Sequence, residues 1–466
     1  MRKLTTLLFT LLFSLFTYAG VWHSPATNSD LSVKATDASK PAKDKSGKLM
    51  TVVYLENLAC EKIGQNSNAD DVAWLLSQGY RVIELDYHHN EKATTPYINE
   101  DIIAINKELN KGAFCGKSNI SSDRAYVLFE GYRLQRDVAY CKDDPSVYNY
   151  PEAYAKTTGD SLYMDIVYPA NASRSVPTIL SFSYSNSYHG NEHKRMFLGY
   201  TWAMFNDSFM EGAPAVGCAW AIADHPKYCD WGRGNRPGGA QKEYGAIEVC
   251  PDAQQKVNAA IDCVVARGNA YSLNGDIVMY GFSRGSTAAS LALSHPNVRC
   301  AFLGPGVFDY AQMSKTSNEY KHMDVYVNYA VEKGIFKTKE EAWQAQRTPL
   351  FNTPSPSGEG RVGASLFLFY NTDDDPNYDT QMKHLTALLD QSGHAYELLK
   401  NYGSGHSVPQ RADHLTMMCN FLLSSLSSSP SSIQSAEWLP LPGEGGGRGF
   451  RWGPLLIADG KKYIVR

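Results

Sequence analysis

Two hydrophobic patterns alternate along most of this chain. Short, mainly apolar runs are typical of strands buried on both faces, and apolar residues three or four positions apart are typical of amphipathic helices. The runs predict strands at 162–168, 178–183, 215–222, 277–280, 300–303, 365–370 and 396–399. The helical spacing predicts helices at 252–267, 286–292, 380–389 and 414–426. This alternation predicts an α/β protein with a mainly parallel sheet that is flanked by helices on both faces.

The same patterns occur earlier, in residues 49–119. A buried strand at 51–55, a helix at 70–78 and a second strand at 80–87 predict an N-terminal β-α-β extension. This extension either lengthens the main sheet or forms a separate module. The main domain is predicted at 120–426.

Residues 304–363 interrupt the alternation of strands and helices. They contain helical spacing at 324–331 and 339–346 and a loop rich in Pro, Ser and Gly. This insertion is either a cap over one end of the sheet or an ordinary surface insertion. Beyond it, residues 427–466 are predicted to be a Ser/Pro linker and a tail too short to fold on a core of its own.

The first residues have the features of a secretory signal. A basic pair precedes an apolar stretch at 4–16, and a small-x-small cleavage site ends at Ala19. We therefore predict a signal peptide at 1–19 and a flexible leader at 20–48. The stretch is short for a membrane span. We expect a secreted or periplasmic protein that has no membrane partner after signal cleavage.

Charge and cysteine usage refine this picture. A net charge of −4 without a run rich in Lys or Arg argues against a nucleic-acid partner. Because an exported protein meets oxidising conditions, its nine cysteines are candidates for disulfides, and the odd number leaves at least one unpaired. Pairing is expected among Cys218, Cys229, Cys250 and Cys263, which are close in sequence.

The segment Gly281-Phe282-Ser283-Arg284-Gly285 has the pattern G-x-S-x-G. An apolar strand leads into it and a stretch of small residues follows. A buried strand, a sharp turn and a helix form a nucleophile elbow, which presents one hydroxyl group. Glycines are needed because a Cβ would collide where the strand and the helix pack closely. Ser283 is therefore a candidate nucleophile.

A serine hydroxyl becomes reactive when a base takes its proton and an acid orients that base. After an elbow, these partners follow in the chain order Asp or Glu and then His. Asp373, Asp374 and Asp375 follow the predicted strand at 365–370, and His406 follows the last predicted strand in a glycine loop. The chain therefore offers an acid and a base in the required order.

Through these three motifs, residues 160–426 resemble the α/β-hydrolase superfamily, in particular secreted esterases of the carbohydrate-esterase and feruloyl-esterase type. The resemblance implies Ser283 as the nucleophile, His406 as the general base and acid, and no cofactor. By its position after the strand, Asp374 is implied as the acid, and Asp375 is the second candidate.

The resemblance also implies an oxyanion hole. One donor is the backbone N–H of Arg284, the residue after the nucleophile, and the other comes from the loop after the strand at 178–183. By position, Tyr184 is the second donor. Esterases of this family often have His-Gly-Gly in that loop, whereas this chain has Ser-Tyr-Ser-Asn.

These motifs imply hydrolysis of carboxylic esters through an acyl-enzyme. The segment Leu162–Pro169, L-x-x-D-x-x-Y-P, is similar to an early core strand of carbohydrate-active esterases, which indicates acetyl or feruloyl esters on plant polysaccharide, or related small esters. One alternative is a prolyl-oligopeptidase-like serine peptidase, although the residues before the core are too few for the propeller usual in that group. A second alternative is a catalytically inactive binding protein of this fold.

A rival motif, H-x-x-E-H, lies at His189–His193. Zinc chemistry there requires a helix that places both histidines on one face, and Gly190 and Asn191 are poor helix formers. A second group, Asp86-Tyr87-His88-His89, is interpreted as a strand end. The sequence therefore favours a serine hydrolase without a metal.

Overall fold

The protein, described as a computed structural model, is an α/β protein built on two large sheets. The structure describes residues 17–25, 27–43, 49–56, 68–87, 101, 104, 125–129, 131–142, 161–169, 175–182, 218–223, 250–332, 334, 336–351, 363–409, 411–427, 455–458 and 461–464. Its strands are β1 (Thr17–Ser24), β2 (Ser29–Thr36), β3 (Thr51–Glu56), β4 (Arg81–Asp86), β5 (Ala125–Phe129), β6 (Tyr132–Lys142), β7 (Ser161–Pro169), β8 (Val176–Phe182), β9 (Ala219–Ala223), β10 (Leu273–Gly281), β11 (Val298–Leu303), β12 (Ser365–Tyr370), β13 (Tyr396–Lys400), β14 (Leu455–Ala458) and β15 (Lys461–Ile464). Its helices are α1 (Asn68–Ser77), α2 (Cys250–Val265), α3 (Gly268–Tyr271), α4 (Arg284–Ser290), α5 (Asn318–Glu332), α6 (Lys339–Gln344), α7 (Pro376–Ser392) and α8 (Ala412–Ser427), with 3₁₀ helices at Tyr310–Gln312 and Pro349–Phe351.

Among the described residues, the larger sheet has eight strands in the order β13-β12-β11-β10-β8-β9-β7-β6. The strands from β13 to β9 in this order are parallel to one another. Strands β7 and β6 follow at one edge in antiparallel pairing. Strand β10, which leads into the G-x-S-x-G segment, therefore lies near the centre of the sheet. The prediction of a mainly parallel sheet is confirmed.

The two faces of this sheet belong to different hydrophobic clusters. In β10, Val278 and Tyr280 pack in one cluster, whereas Ile277 and Met279 pack in the other. This alternation follows from the two-residue period of a strand. Helix α8 contributes to the first cluster, and helices α2, α4 and α7 contribute to the second. Continuous apolar runs form these strands because both faces are covered.

The N-terminal residues form a separate sheet. In the described part of the chain, this sheet has five strands in the order β1-β2-β4-β3-β5. The predicted β-α-β unit is present as β3, α1 and β4, with β3 and β4 parallel. The prediction of a flexible leader at 20–48 is wrong, because β1 and β2 form an antiparallel hairpin that pairs with β4. Alternate residues of β2, such as Leu31 and Val33, are buried.

The boundary predicted at residue 120 also differs from the structure. Strand β5 lies beyond that boundary but pairs with β3, so it belongs to the N-terminal sheet. The larger sheet begins with β6 at Tyr132. Between the two strands, Gly131 turns the chain with a φ of +84°, a conformation that suits glycine. Its N–H donates to the buried carboxylate of Asp71 at 3.1 Å.

The two sheets repeat one pairing pattern. In the N-terminal sheet, β1-β2 and β2-β4 are antiparallel, and β4-β3 and β3-β5 are parallel. In the larger sheet, β6-β7 and β7-β9 are antiparallel, and β9-β8 and β8-β10 are parallel. Strand β5 therefore occupies the position that β10 has in the larger sheet. The N-terminal unit reproduces the first five strands of the main domain, and the chain then continues directly into β6.

The junction between the N-terminal sheet and the larger sheet combines polar contacts with apolar packing. The guanidinium of Arg133 lies over the Trp74 ring, 5.1 Å from its centroid, and its Nε is 3.6 Å from the carboxylate of Asp71. One hydrophobic cluster contains residues of both sheets, including Val52 and Val167. The N-terminal unit is thus packed on the main domain.

The insertion at 304–363 shares the core of the main domain. Met323 and Val327 of α5 are buried in the same cluster as α2 and α4. Helices α5 and α6 contact each other through Tyr320 and Trp343, whose rings stack with centroids 5.0 Å apart.

The cysteines depart from the predicted pairing. Among the described residues, Cys263 and Cys300 are free thiols. Cys263, one of the four cysteines expected to pair, is therefore not in a disulfide. In the described part of the chain, no helix combines the length and the apolar character that a membrane span needs.

Candidate active site

The G-x-S-x-G segment forms a strained turn between β10 and α4. Ser283 has a φ of 55° and a ψ of −127°, a backbone conformation that residues other than glycine rarely adopt. A Cβ on Gly281 would lie 2.4 Å from the Cα of Ser286. Glycine is therefore required where the strand and the helix cross. The geometry is that of a nucleophile elbow.

The residue after the serine has a backbone N–H group that is not used within the helix. Helix α4 begins at Arg284, and the N–H of a first helical residue has no acceptor within the helix. This group is the predicted first donor of the oxyanion hole. A Cβ on Gly306 would lie 3.0 Å from the carbonyl oxygen of Ser283, so the chain after β11 passes close to the elbow. Tyr184, the predicted second donor, lies outside the described residues.

The structure brings together the predicted base and one predicted acid. Nδ1 of His406 lies 2.8 Å from Oδ2 of Asp374. The Asp374 side chain is only 4% exposed, whereas the His406 side chain is 34% exposed. A carboxylate accepts from Nδ1–H, which leaves Nε2 of the neutral imidazole as an acceptor. The pair therefore has the form of a general base with its orienting acid.

The neighbouring acid has a different position. The side chain of Asp375 caps α7, accepting a hydrogen bond of 2.8 Å from the N–H of Asn377. Its own N–H donates to Oδ1 of Asp374 at 2.7 Å. Of the two candidate acids, the structure therefore places only Asp374 against the imidazole, and Asp375 begins the helix that follows.

Asn371 joins the acidic turn to the histidine loop. Its side chain is buried, and its Nδ2 donates to the carbonyl of Gly405 at 3.0 Å and to Oγ of Ser407 at 3.2 Å. Its Oδ1 accepts from the N–H of Gly403 at 3.0 Å. Three bonds from one amide thus hold residues on both sides of His406. Sequence reasoning missed this residue, whose only signal is its place at the end of β12.

The third acidic residue, Asp373, also binds the histidine loop. It accepts hydrogen bonds from Oγ of Ser404 at 2.8 Å and from the N–H of Gly405 at 3.0 Å. The bond from Ser404, followed by that from Gly405, lowers the pKa of the Asp373 carboxyl. The carboxylate therefore stays ionised while it holds the loop.

The buried side chain of Tyr402 also binds the histidine loop. Its hydroxyl donates to the carbonyl oxygen of Ser407. Burial raises the pKa of this phenol, and the electrostatic interactions with Tyr280 and Asp374 act in the same direction. The hydroxyl therefore remains a neutral donor at ordinary pH.

The imidazole is in contact with two aromatic rings. The Phe282 ring lies with its centroid 4.5 Å from that of His406, and the Tyr378 ring lies 4.7 Å away at an interplanar angle of 17°. Because Phe282 directly precedes Ser283, its contact places the histidine beside the elbow. The serine turn and the Asp-His pair are thus parts of one site.

The described residues do not test the two metal motifs of the sequence. In that part of the chain, no three His, Cys, Asp or Glu side chains lie together as a metal site requires. The H-x-x-E-H segment at His189–His193 lies outside the described residues, as do His88 and His89.

The mainly parallel sheet, the elbow after a central strand, and the following acid and histidine loops define an α/β-hydrolase fold. The strands and the loops occur in the order that this fold uses for serine, acid and histidine.

Comparisons with known proteins find solved structures that are similar to this chain. No family model matches the chain, and no curated protein matches it. A truncated carbohydrate esterase from gut microbiota is similar with a TM-score of 0.42 and 14% identity, over 63% of this chain and 96% of the other. Esterase B from Lactobacillus rhamnosis has a TM-score of 0.39 and 12% identity, over 64% and 86%. Dipeptidyl peptidase 4 from Porphyromonas gingivalis has a TM-score of 0.40 and 12% identity, over 64% of this chain and 36% of that one.

Proposed function

We propose that this protein is a serine hydrolase that cleaves carboxylic esters through an acyl-enzyme. The proposal rests on one observation, the 2.8 Å contact between His406 and buried Asp374 beside the strained turn of Ser283. An oriented base next to a serine on an elbow is the arrangement that activates a hydroxyl group.

The proposed reaction has two halves. His406 takes the proton of the Ser283 hydroxyl through Nε2 while the oxygen attacks the ester carbonyl. Asp374 stabilises the imidazolium, and the N–H of Arg284 donates to the developing oxyanion. The imidazolium then protonates the leaving alcohol, which departs and leaves an acyl group on Ser283. In the second half, water attacks the acyl group in the same way and releases the acid.

The proposed substrates are acetyl or feruloyl esters of plant polysaccharide, or related small esters, met outside the inner membrane. Support comes from the predicted signal peptide and from the resemblance of the Leu162–Pro169 strand to carbohydrate-active esterases. No resident cofactor is needed, because the acyl-enzyme route uses only side chains, backbone N–H groups and water.

Hydrolysis of p-nitrophenyl acetate tests the proposed reaction. The parent should turn over the ester, and Ser283→Ala should lose about 10³-fold or more of kcat. Asp375→Asn, which keeps an oxygen for the helix cap, serves as the control and should retain most of the activity. Turnover of dipeptide p-nitroanilides instead of esters would indicate a peptidase. No turnover of either substrate would favour the inactive binding protein.

A further inference from the structure

Tyr378 is the second ring against the imidazole of His406. Its ring is nearly parallel to the imidazole, with centroids 4.7 Å apart and an angle of 17°, whereas Phe282 is tilted by 38°. We propose that Tyr378 is a positioning residue for the base: its face holds the imidazole in the plane that Asp374 requires and stabilises the imidazolium formed during each half-reaction. This inference rests on the proposed function, and it assigns a specific part in it to a residue outside the Ser-His-Asp set.

The turn that carries the acid also carries this ring. Asp375 caps α7, Pro376 occupies the start of the helix, and the N–H of Tyr378 donates to the carbonyl of Asp375 at 2.9 Å. The N–H of Asp375 in turn binds Oδ1 of Asp374. A single turn of chain therefore fixes both the carboxylate and the aromatic face relative to His406.

Helix α7 is itself anchored one turn further on. Oε1 of Gln381 accepts from the N–H groups of Phe308 and Asp309 at 2.8 Å each, and its Nε2 donates to the carbonyl of Asp309 at 2.6 Å. Gln381 is fully buried. The ring of Tyr378 thus projects from an element that is held rigidly, as positioning of a reactive group requires.

The charges around the imidazole show what the ring adds. Asp374 is the carboxylate in contact with it, while Asp373 is bonded to Ser404 and Gly405, and Asp375 is bonded to Asn377. The negative face of an aromatic ring attracts a cation within about 6 Å of its centroid. Tyr378 therefore adds an attractive ring face at the place where positive charge develops.

The proposal predicts different results for two substitutions. Tyr378→Phe keeps the ring and should retain kcat for p-nitrophenyl acetate within about twofold. Tyr378→Leu removes the ring and should lower kcat by about 3- to 30-fold, the range expected for a cation–π contact. KM should change by less than about twofold in both, because the imidazolium forms only in the transition state. Equal losses in Phe and Leu, or a loss confined to KM, would overturn the proposal.

A measurement without turnover separates this inference from the proposed function. In protein labelled at histidine, the ring-proton resonance of His406, assigned with His406→Asn, should be shifted upfield by the ring current of Tyr378. Tyr378→Leu should move this resonance downfield, and Tyr378→Phe should leave it near the parent position. Should the parent fail to hydrolyse esters, the NMR result still reports whether the ring holds the imidazole. A resonance unchanged in Tyr378→Leu would overturn the assigned contact.

Discussion

Asp374 and Asp375 are adjacent in sequence, but we expect their substitution to have different effects. Substitution of Asp374 should lower kcat, whereas substitution of Asp375 should lower the stability and leave kcat unchanged. The contact of Asp374 with His406 is a charge-assisted hydrogen bond of 2.8 Å to a carboxylate that is 4% exposed. In Asp374→Asn, the amide loses the charge that stabilises the imidazolium, a loss of about 1.5–3 kcal/mol. Where its NH2 faces Nδ1, the ring must carry its proton on Nε2, which then cannot accept the proton of Ser283. The two effects together predict a fall in kcat of about 10³- to 10⁴-fold.

Asp375→Ala is the matched substitution. It removes the cap bond to the N–H of Asn377, which costs about 1 kcal/mol of stability, and it leaves the carboxylate against His406 in place. We expect a melting temperature lower by about 2 °C and a kcat near that of the parent.

The assay for both variants is initial-rate hydrolysis of p-nitrophenyl acetate, with thermal unfolding followed on the same samples. Circular dichroism should show that Asp374→Asn is folded. Its lower rate then reflects a slower catalytic step and not unfolding. Asp374 is not the acid of the site if Asp375→Ala loses as much kcat as Asp374→Asn, or if Asp374→Asn retains the parent rate.

Three further substitutions test the supports of the site. Asn371→Ala removes three hydrogen bonds to the histidine loop and should lower the stability by about 2–4 kcal/mol and kcat by at least about tenfold, measured by urea unfolding and initial rates; an unchanged kcat would contradict the role of this amide. Gly281→Ala places a Cβ 2.4 Å from the Cα of Ser286, so ester hydrolysis should be lost, and an active variant would show that β10 and α4 do not pack as closely as described. Tyr402 has a raised pKa in the folded state, so the stability it contributes is present below the unfolded value of about 10 and is lost as the pH rises beyond it. Tyr402→Phe should therefore show a flatter decline in stability above about pH 10 than the parent, and parallel declines would refute this linkage.

The repeated pairing pattern gives the N-terminal unit a structural interpretation. Its five strands repeat the pairing pattern of the first five strands of the main domain, but the chain passes from β5 through Gly131 directly into β6. The main domain instead passes from β10 into the serine turn and α4. The N-terminal unit therefore has the sheet of a hydrolase half without the strand-turn-helix that presents a nucleophile at this position.

The core strands were predictable because each is a run of apolar residues. Strand β12, predicted at 365–370, has the same bounds in the structure. The edge strands were harder. Strand β2 buries alternate residues such as Leu31 and Val33, but its Ser, Asp and Lys residues gave it the composition of a leader. Strand β6 is interrupted by an irregularity between Gln135 and Val138, where polar residues break the alternation.

The residues of the candidate site that lie in sequence motifs were predictable. Ser283 and His406 stand out because glycines and strand ends mark their loops. The choice between Asp374 and Asp375 depends on which carboxylate faces a loop about 30 residues further on. The side chains of adjacent residues in a turn point in different directions, and the sequence pattern does not show which one faces that loop. The contact made by Tyr378 arises from the same fold of the chain and has no local sequence signal.

The most direct test of the central claim is the location of a covalent adduct. The parent, treated with a fluorophosphonate and digested, should carry one adduct, on the peptide that contains Ser283, and Ser283→Ala should carry none. His406→Ala should react far more slowly, because the hydroxyl then lacks its base. An adduct on another residue, or equal labelling of the parent and Ser283→Ala, would contradict the assignment of Ser283 as the nucleophile.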